Sequence, residues 1–159
     1  MHAIARAAGA ILVALLLAGP AAAQTPTLTL DGKVKQAQHW TLADLRKLPT
    51  EQVEVSYLGE HSTVKAHFTG VLLWSLIQAA GGIDDTGKGL ELRHAIRFTA
   101  TDGYVVVGST GEIAPDFGAK PALIAYERDG KPLDEFRLVM PGDRRGGRYV
   151  RGLVTIAVE

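Results

Sequence analysis

The chain contains no cysteine. That excludes disulfides, thiolate metal ligands and a cysteine nucleophile together, so packing alone has to stabilise the fold. It also has no excess of charge. Lys and Arg number 17, Asp and Glu 17, and the formal net charge at pH 7 is 0. A balanced chain has no general attraction to nucleic acid or anionic membranes, so any preference for anions must be local. Apolar runs long enough to cross a membrane are missing beyond the first two dozen residues, so no membrane span is expected once that segment is removed.

What is present is an ordinary globular composition. The 159 residues are 47% hydrophobic and 21% charged, enough for one domain with its own core. The first residues read as a secretory signal peptide. Arg6 supplies the positive n-region, residues 7–18 form a short apolar run, and Gly19-Pro20 breaks it. Ala21-Ala22-Ala23 then gives a small-residue cleavage pattern, with cleavage expected between Ala23 and Gln24. This predicts a signal peptide over 1–23, a domain over 24–159, and a periplasmic or secreted location. No Arg-Arg pair precedes the apolar run, so the signal is not of the twin-arginine kind and export in the unfolded state is expected.

Along the mature chain the strand signals are short and frequent. Residues 27–30 alternate Thr and Leu, Asp31-Gly32 is a turn, and 33–36 are expected to return as a second strand. Thr41 is an N-cap for a short helix carrying Leu42, Leu45 and Leu48, which Pro49 ends. Residues 52–57 alternate, and 64–68 should return beside them. The clearest helix spans 71–80, with Leu72, Leu73, Leu76, Ile77 and Ala80 at helical spacing and Gly81-Gly82 as its stop. A strand over 90–99, the Asp102-Gly103 turn and the β-prone 104–108 form a hairpin. His94 is expected on its solvent face or opposite a neighbouring strand. A turn of helix is expected over 111–114, and strands over 122–127, 136–140 and 153–158 complete the chain, with Asp129-Gly130 as another hairpin turn. The predicted class is α+β: mostly antiparallel, multi-layer β with one main helix.

The loop between the last two strands carries Arg144, Arg145, Arg148 and Arg151 among Gly142, Gly146, Gly147 and Gly152, opposed only by Asp143. Glycine allows close backbone approach, and arginine forks suit carboxylate, sulfate or phosphate. Arg144, Arg145 and Arg148 are therefore candidate anion ligands. The competing explanation is a solvated hairpin tip whose arginines pair with nearby carboxylates. His61 and His67 flank residues 62–66 and could face a shared pocket near Ser56. Their spacing matches no zinc pattern, and no acid trio completes one, so no metal site is expected. Asp102 and Tyr104 are explained by their turn, and Trp40 and Trp74 by the core.

The order of these motifs resembles the oxidoreductase molybdopterin-binding domain, the central domain of the sulfite oxidase family. The resemblance rests on His67-Phe68-Thr69-Gly70-Val71-Leu72-Leu73-Trp74 with Ala80-Gly81-Gly82, on Asp102-Gly103-Tyr104, and on Asp129-Gly130-Lys131-Pro132-Leu133. It closes with Arg137-Leu138-Val139-Met140-Pro141-Gly142 and Arg148-Tyr149-Val150-Arg151. It implies that family's fold, a molybdenum held by a pterin dithiolene and one cysteine, and oxygen-atom transfer. It also implies that basic residues near the closing loop help hold the cofactor's phosphate. The family's cysteine would fall near Val55-Ser56-Tyr57, where this chain has none.

Three functions follow as expectations. The favoured one is an exported, non-catalytic module that binds a small anion or a periplasmic partner protein, using Arg144, Arg145, Arg148, His61, His67 and Ser56. The alternative is a molybdopterin-dependent oxidoreductase whose metal ligand is not cysteine, with Ser56 or Tyr57 in its place. Serine is a harder and more basic ligand than a thiolate, which weighs against Ser56. The third is an interaction domain with no small ligand.

Overall fold

The computed structural model describes residues 25–159. The expected signal peptide lies outside the described residues.

Two sheets face each other across the main core. In the first, β1 (Thr27–Gly32) pairs antiparallel with β2 (Gln38–Thr41) and parallel with β9 (Leu153–Val158). β9 continues antiparallel to β5 (Ala95–Ala100), and β5 to β6 (Val105–Ser109). The second sheet runs β3 (Glu51–Leu58), β4 (Thr63–Leu72), β7 (Leu123–Arg128), β8 (Lys131–Val139), antiparallel throughout. The expected α+β class with mostly antiparallel strands holds; β1–β9 is the one parallel pair among the described strands.

Period-two alternation fixes which side chains meet. Leu28 and Leu30 of β1, Ile96 and Phe98 of β5, and Ile156 and Val158 of β9 meet Ile124 and Tyr126 of β7 and Phe136 and Leu138 of β8. The helix α2 (Leu73–Ala79) adds Leu73, Leu76 and Ile77, all fully buried. Gly82 N–H donates to Ile77 O and Gly81 N–H to Gln78 O, and both glycines hold positive φ, 86° and 82°. This is the Schellman closure that a side chain with a Cβ would strain.

The second sheet is covered on its other face as well. Val55 and Tyr57 of β3, Ala66 and Phe68 of β4, Leu123 and Ala125 of β7, and Val139 of β8 form a second cluster with Tyr149. Residues 123–126 are therefore buried at every position, two pointing each way. This is why that strand reads as a continuous apolar run rather than an alternation.

Several elements depart from the sequence expectation. The partner of β1 is 38–41, not 33–36. Lys35 and Gln36 N–H groups donate to Gly82 O and Ala80 O, so 33–36 dock against the end of α2 instead. The helix starts at Leu73 rather than 71, because Val71 and Leu72 pair with Ile124 and Leu123 in the β4–β7 ladder. Thr41 is the N-cap of α1 (Leu42–Leu45), in a capping box with Asp44. Residues 90–92 form a 3-10 turn before β5. His94 is not on a solvent face. It is buried, with Nδ1 at 2.9 Å from Glu159 O and Nε2 at 2.9 Å from Asp85 Oδ2.

Leu76 lies wholly inside the main core, and truncation there opens a cavity as well as losing transfer energy. Leu76→Ala is expected to lower unfolding free energy by about 2–5 kcal/mol, read from urea denaturation at unchanged m-value.

Candidate functional site: a basic cleft beside the closing loop

The closing loop, residues 141–152, lies over the outer face of the second sheet. Its backbone is tied at both ends. Leu58 N–H donates to Arg144 O at 2.9 Å, and Leu138 N–H to Val150 O at 2.9 Å. Tyr104, half exposed, donates its hydroxyl to Gly147 O at 2.8 Å.

Side chains fix the middle. Arg148 Nε and Nη2 fork onto the two carboxylate oxygens of Asp143, each at 2.7 Å. Its Nη1 reaches Glu112 at 3.0 and 3.1 Å. Lys120 Nζ adds 2.9 Å to Asp143. Glu112 belongs to α3 (Thr110–Ile113), where it also completes a capping box with Ser109. Burial opposes the charge on Asp143, but its bonds to Arg148 and Lys120 outweigh that and hold the carboxyl below the ordinary 3.8. Asp143 with Glu112 likewise raises the Arg148 guanidinium above its ordinary value.

Under the loop is a cleft of about 470 Å³, lined among others by Tyr57, Arg137, Arg145, Tyr149 and Arg151. Tyr57 and Tyr149 stack with ring centroids 4.0 Å apart and planes at 27°. Tyr57 packs so closely on the loop that a Cβ at Gly146 would lie 2.9 Å from its ring. Arg137 is only 7% exposed and sits between the main-core residues Phe136 and Leu138, so strand alternation turns it to the opposite face. Its guanidinium carbon lies 5.8 Å from the Phe68 ring centroid. Burial, then the nearby Arg151, lowers its pKa from the ordinary value. The Nε of Arg137 and the hydroxyl of Tyr149 are both buried without a hydrogen-bond partner among the described residues. Burial raises the Tyr149 phenol from 10.0 to about 12.

The residues singled out from sequence are not gathered in one place. Arg144, Arg145 and Arg148 line a shallow surface depression with Gly142, Asp143 and Gly147. Arg148 spends its donors on carboxylates there, while Arg145 also borders the deeper cleft. Ser56 is exposed, on the face of β3 opposite Tyr57. His61 is open to solvent near Glu60. His67 is exposed on β4, and its backbone N–H, not its ring, donates to Asp129. Among the described residues no three His, Cys, Asp or Glu side chains gather as a metal site.

Arg137, Tyr149 and Arg151 were not among the candidate ligands. One signal for Arg137 was available: an arginine inside a buried strand, Phe136 to Met140, must either be paired or face a ligand. A larger groove of about 660 Å³ runs past Thr25, Asp134, Glu135 and Gly152. Its charged groups are carboxylates, so it does not compete for anions.

A stacked pair of antiparallel-dominated sheets with a basic cleft under a glycine- and arginine-rich closing loop defines an α+β domain of the kind expected from sequence. The chain belongs to the oxidoreductase molybdopterin-binding domain family, which it matches over residues 17–159. No curated protein matches it by sequence. In structure it is similar to the sulfane dehydrogenase SoxCD from Paracoccus pantotrophus, with a TM-score of 0.68 at 17% identity. The likeness covers 89% of this chain and 40% of that one, so this chain spans well under half of its neighbour.

The family name implies a molybdenum pterin, and the donors here do not suit its metal. The cleft offers guanidinium groups, tyrosine rings and one carboxylate, Glu60, and the chain has no thiol. Tyr57, near the position where the resemblance puts the cysteine, is stacked on Tyr149 and seated against Gly146. Guanidinium and phenol donors suit an oxyanion instead.

The Asp143 clamp is testable. Asp143→Asn is expected to cost about 1–3 kcal/mol near neutral pH, because it leaves Arg148 and Lys120 short of an acceptor. The folded pKa is depressed, so the contribution is complete above the ordinary 3.8 and is lost as pH falls through the lower folded value. Denaturation midpoints of the two proteins are expected to differ at pH 7 and to converge below about pH 3.

Proposed function

We propose that this chain is an exported, cofactor-free member of its family that binds a small anion or a periplasmic partner protein and is not itself an oxidoreductase. The observation that carries this reading is the Tyr57–Tyr149 stack at the cleft, in a chain with no cysteine. A signal peptide over 1–23 gives the periplasmic or secreted location and a mature domain over 24–159. The basic residues that the family uses near a phosphate would be kept for a ligand that needs no metal.

A second reading keeps the redox function with a non-cysteine ligand. Tyr57 is the residue that favours it, since its side chain lines the cleft whereas Ser56 points outward. A phenolate is a hard donor, and forming one in a cleft of few acids would require parting the stack.

The test is mass spectrometry and elemental analysis of protein purified from the periplasm of a molybdenum-replete host. The expected result is a chain beginning at Gln24 with molybdenum and pterin far below one per chain. Near-stoichiometric metal and pterin, lost in Tyr57→Phe, would establish the second reading in its place.

A further inference from the structure

The feature that the family resemblance leaves unexplained is an arginine buried in the sheet without a counter-charge. Among the described residues Arg137 forms no ion pair, its Nε has no acceptor, and the charged group pressing on it most is another cation, Arg151. The Phe68 ring nearby offers its face to the guanidinium, but N–H donors lie in the guanidinium plane and a ring does not satisfy them. Tyr149 buries a second donor in the same cleft. An unpaired buried charge and an unpaired buried hydroxyl are each costly, so their occurrence together in one cleft calls for an acceptor.

The charges around the cleft limit what that acceptor is. Arg137, Arg145 and Arg151 line it, against Glu60 alone, whose side chain is 88% exposed. Two positive charges are left unmatched, which a dianion would neutralise and a monoanion would not. The donors come from separate directions: β8 supplies Arg137, the stacked ring supplies Tyr149, and the rim supplies Arg145 and Arg151. A tetrahedral group, with oxygens pointing several ways, fits such a set better than a planar carboxylate that one arginine fork can saturate.

We infer that this cleft is a binding site for a tetrahedral dianion, sulfate or a phosphate group, held by Arg137 and Tyr149 at its floor and by Arg145 and Arg151 at its mouth. The inference rests on the cofactor-free reading and names its ligand class. It moves the anion from the exposed Arg144–Arg148 surface, where Arg148 is already saturated by Asp143 and Glu112, to the cleft beneath.

The experiment is isothermal titration with thermal-shift measurement on the mature protein, at constant ionic strength. Sulfate, inorganic phosphate and glycerol phosphate are compared with chloride and nitrate. The expected result is millimolar or tighter binding of the tetrahedral dianions, with a rise in Tm that chloride does not give. Tyr149→Phe, which removes one hydroxyl, should weaken sulfate about tenfold. Arg137→Met should abolish the response while leaving the anion-free protein as stable as the parent or more so, because an uncompensated buried charge is gone. An arginine with only a packing role would lose stability instead. Arg144→Ala should bind normally. Glycerol phosphate bound as tightly as inorganic phosphate assigns a phosphate ester as the source; its exclusion assigns a free oxyanion. The inference is overturned if sulfate does no more than chloride, if Tyr149→Phe and Arg137→Met both respond as the parent does, or if Arg144→Ala alone abolishes binding. Failure of the cofactor-free reading would show separately, as molybdenum and pterin in the purified protein.

Discussion

Arg148 is the cation on which the arrangement of the closing loop depends. One guanidinium serves Asp143 within the loop and Glu112 on α3, so a segment of twelve residues is fixed to the rest of the domain by a single side chain. Forked, partly buried carboxylate contacts of this kind are much stronger than a surface ion pair. Backbone ties at Leu58 and Leu138 then set where the loop crosses the sheet. With Arg148 turned toward the carboxylates, Tyr149 is turned toward Tyr57, and the cleft takes its shape from that stack.

The second sheet is the other half of the arrangement. Because β7 is buried on both faces, the sheet has an outer apolar layer for the loop to cover. Arg137 is the exception within that layer. A strand that alternates between two cores has no solvent-facing side on which to put a charge, so Arg137 is held where it would otherwise not persist. Structures tolerate such a residue where a ligand or a function repays its burial.

Much of the fold was legible in the sequence because its signals are local. The Thr41 cap, the Gly81-Gly82 stop, the DG turns and the alternation of β1 each act within a few residues, and each appears where the sequence puts it. What was not legible was decided by distant partners. Residues 33–36 dock on the end of α2, 71–72 are drawn into a strand by β7, and His94 is buried by Asp85 and Glu159. The site divides the same way. The arginine cluster is visible as composition, but which arginine is saturated depends on Glu112, 36 positions away in the chain. Arg137 was overlooked because a lone charge in an apolar strand looks like an edge position until both faces of the sheet are seen to be covered.

The most direct test is a nuclear magnetic resonance titration of the arginine Nε–H groups of the mature protein with sulfate. Each guanidinium reports separately on what its own N–H meets. The account predicts that Arg137 Nε–H shifts strongly and saturably, with smaller shifts at Arg145 and Arg151, while Arg148 stays fixed on its carboxylates. Shifts confined to Arg144 and Arg148, with Arg137 unmoved, would contradict it.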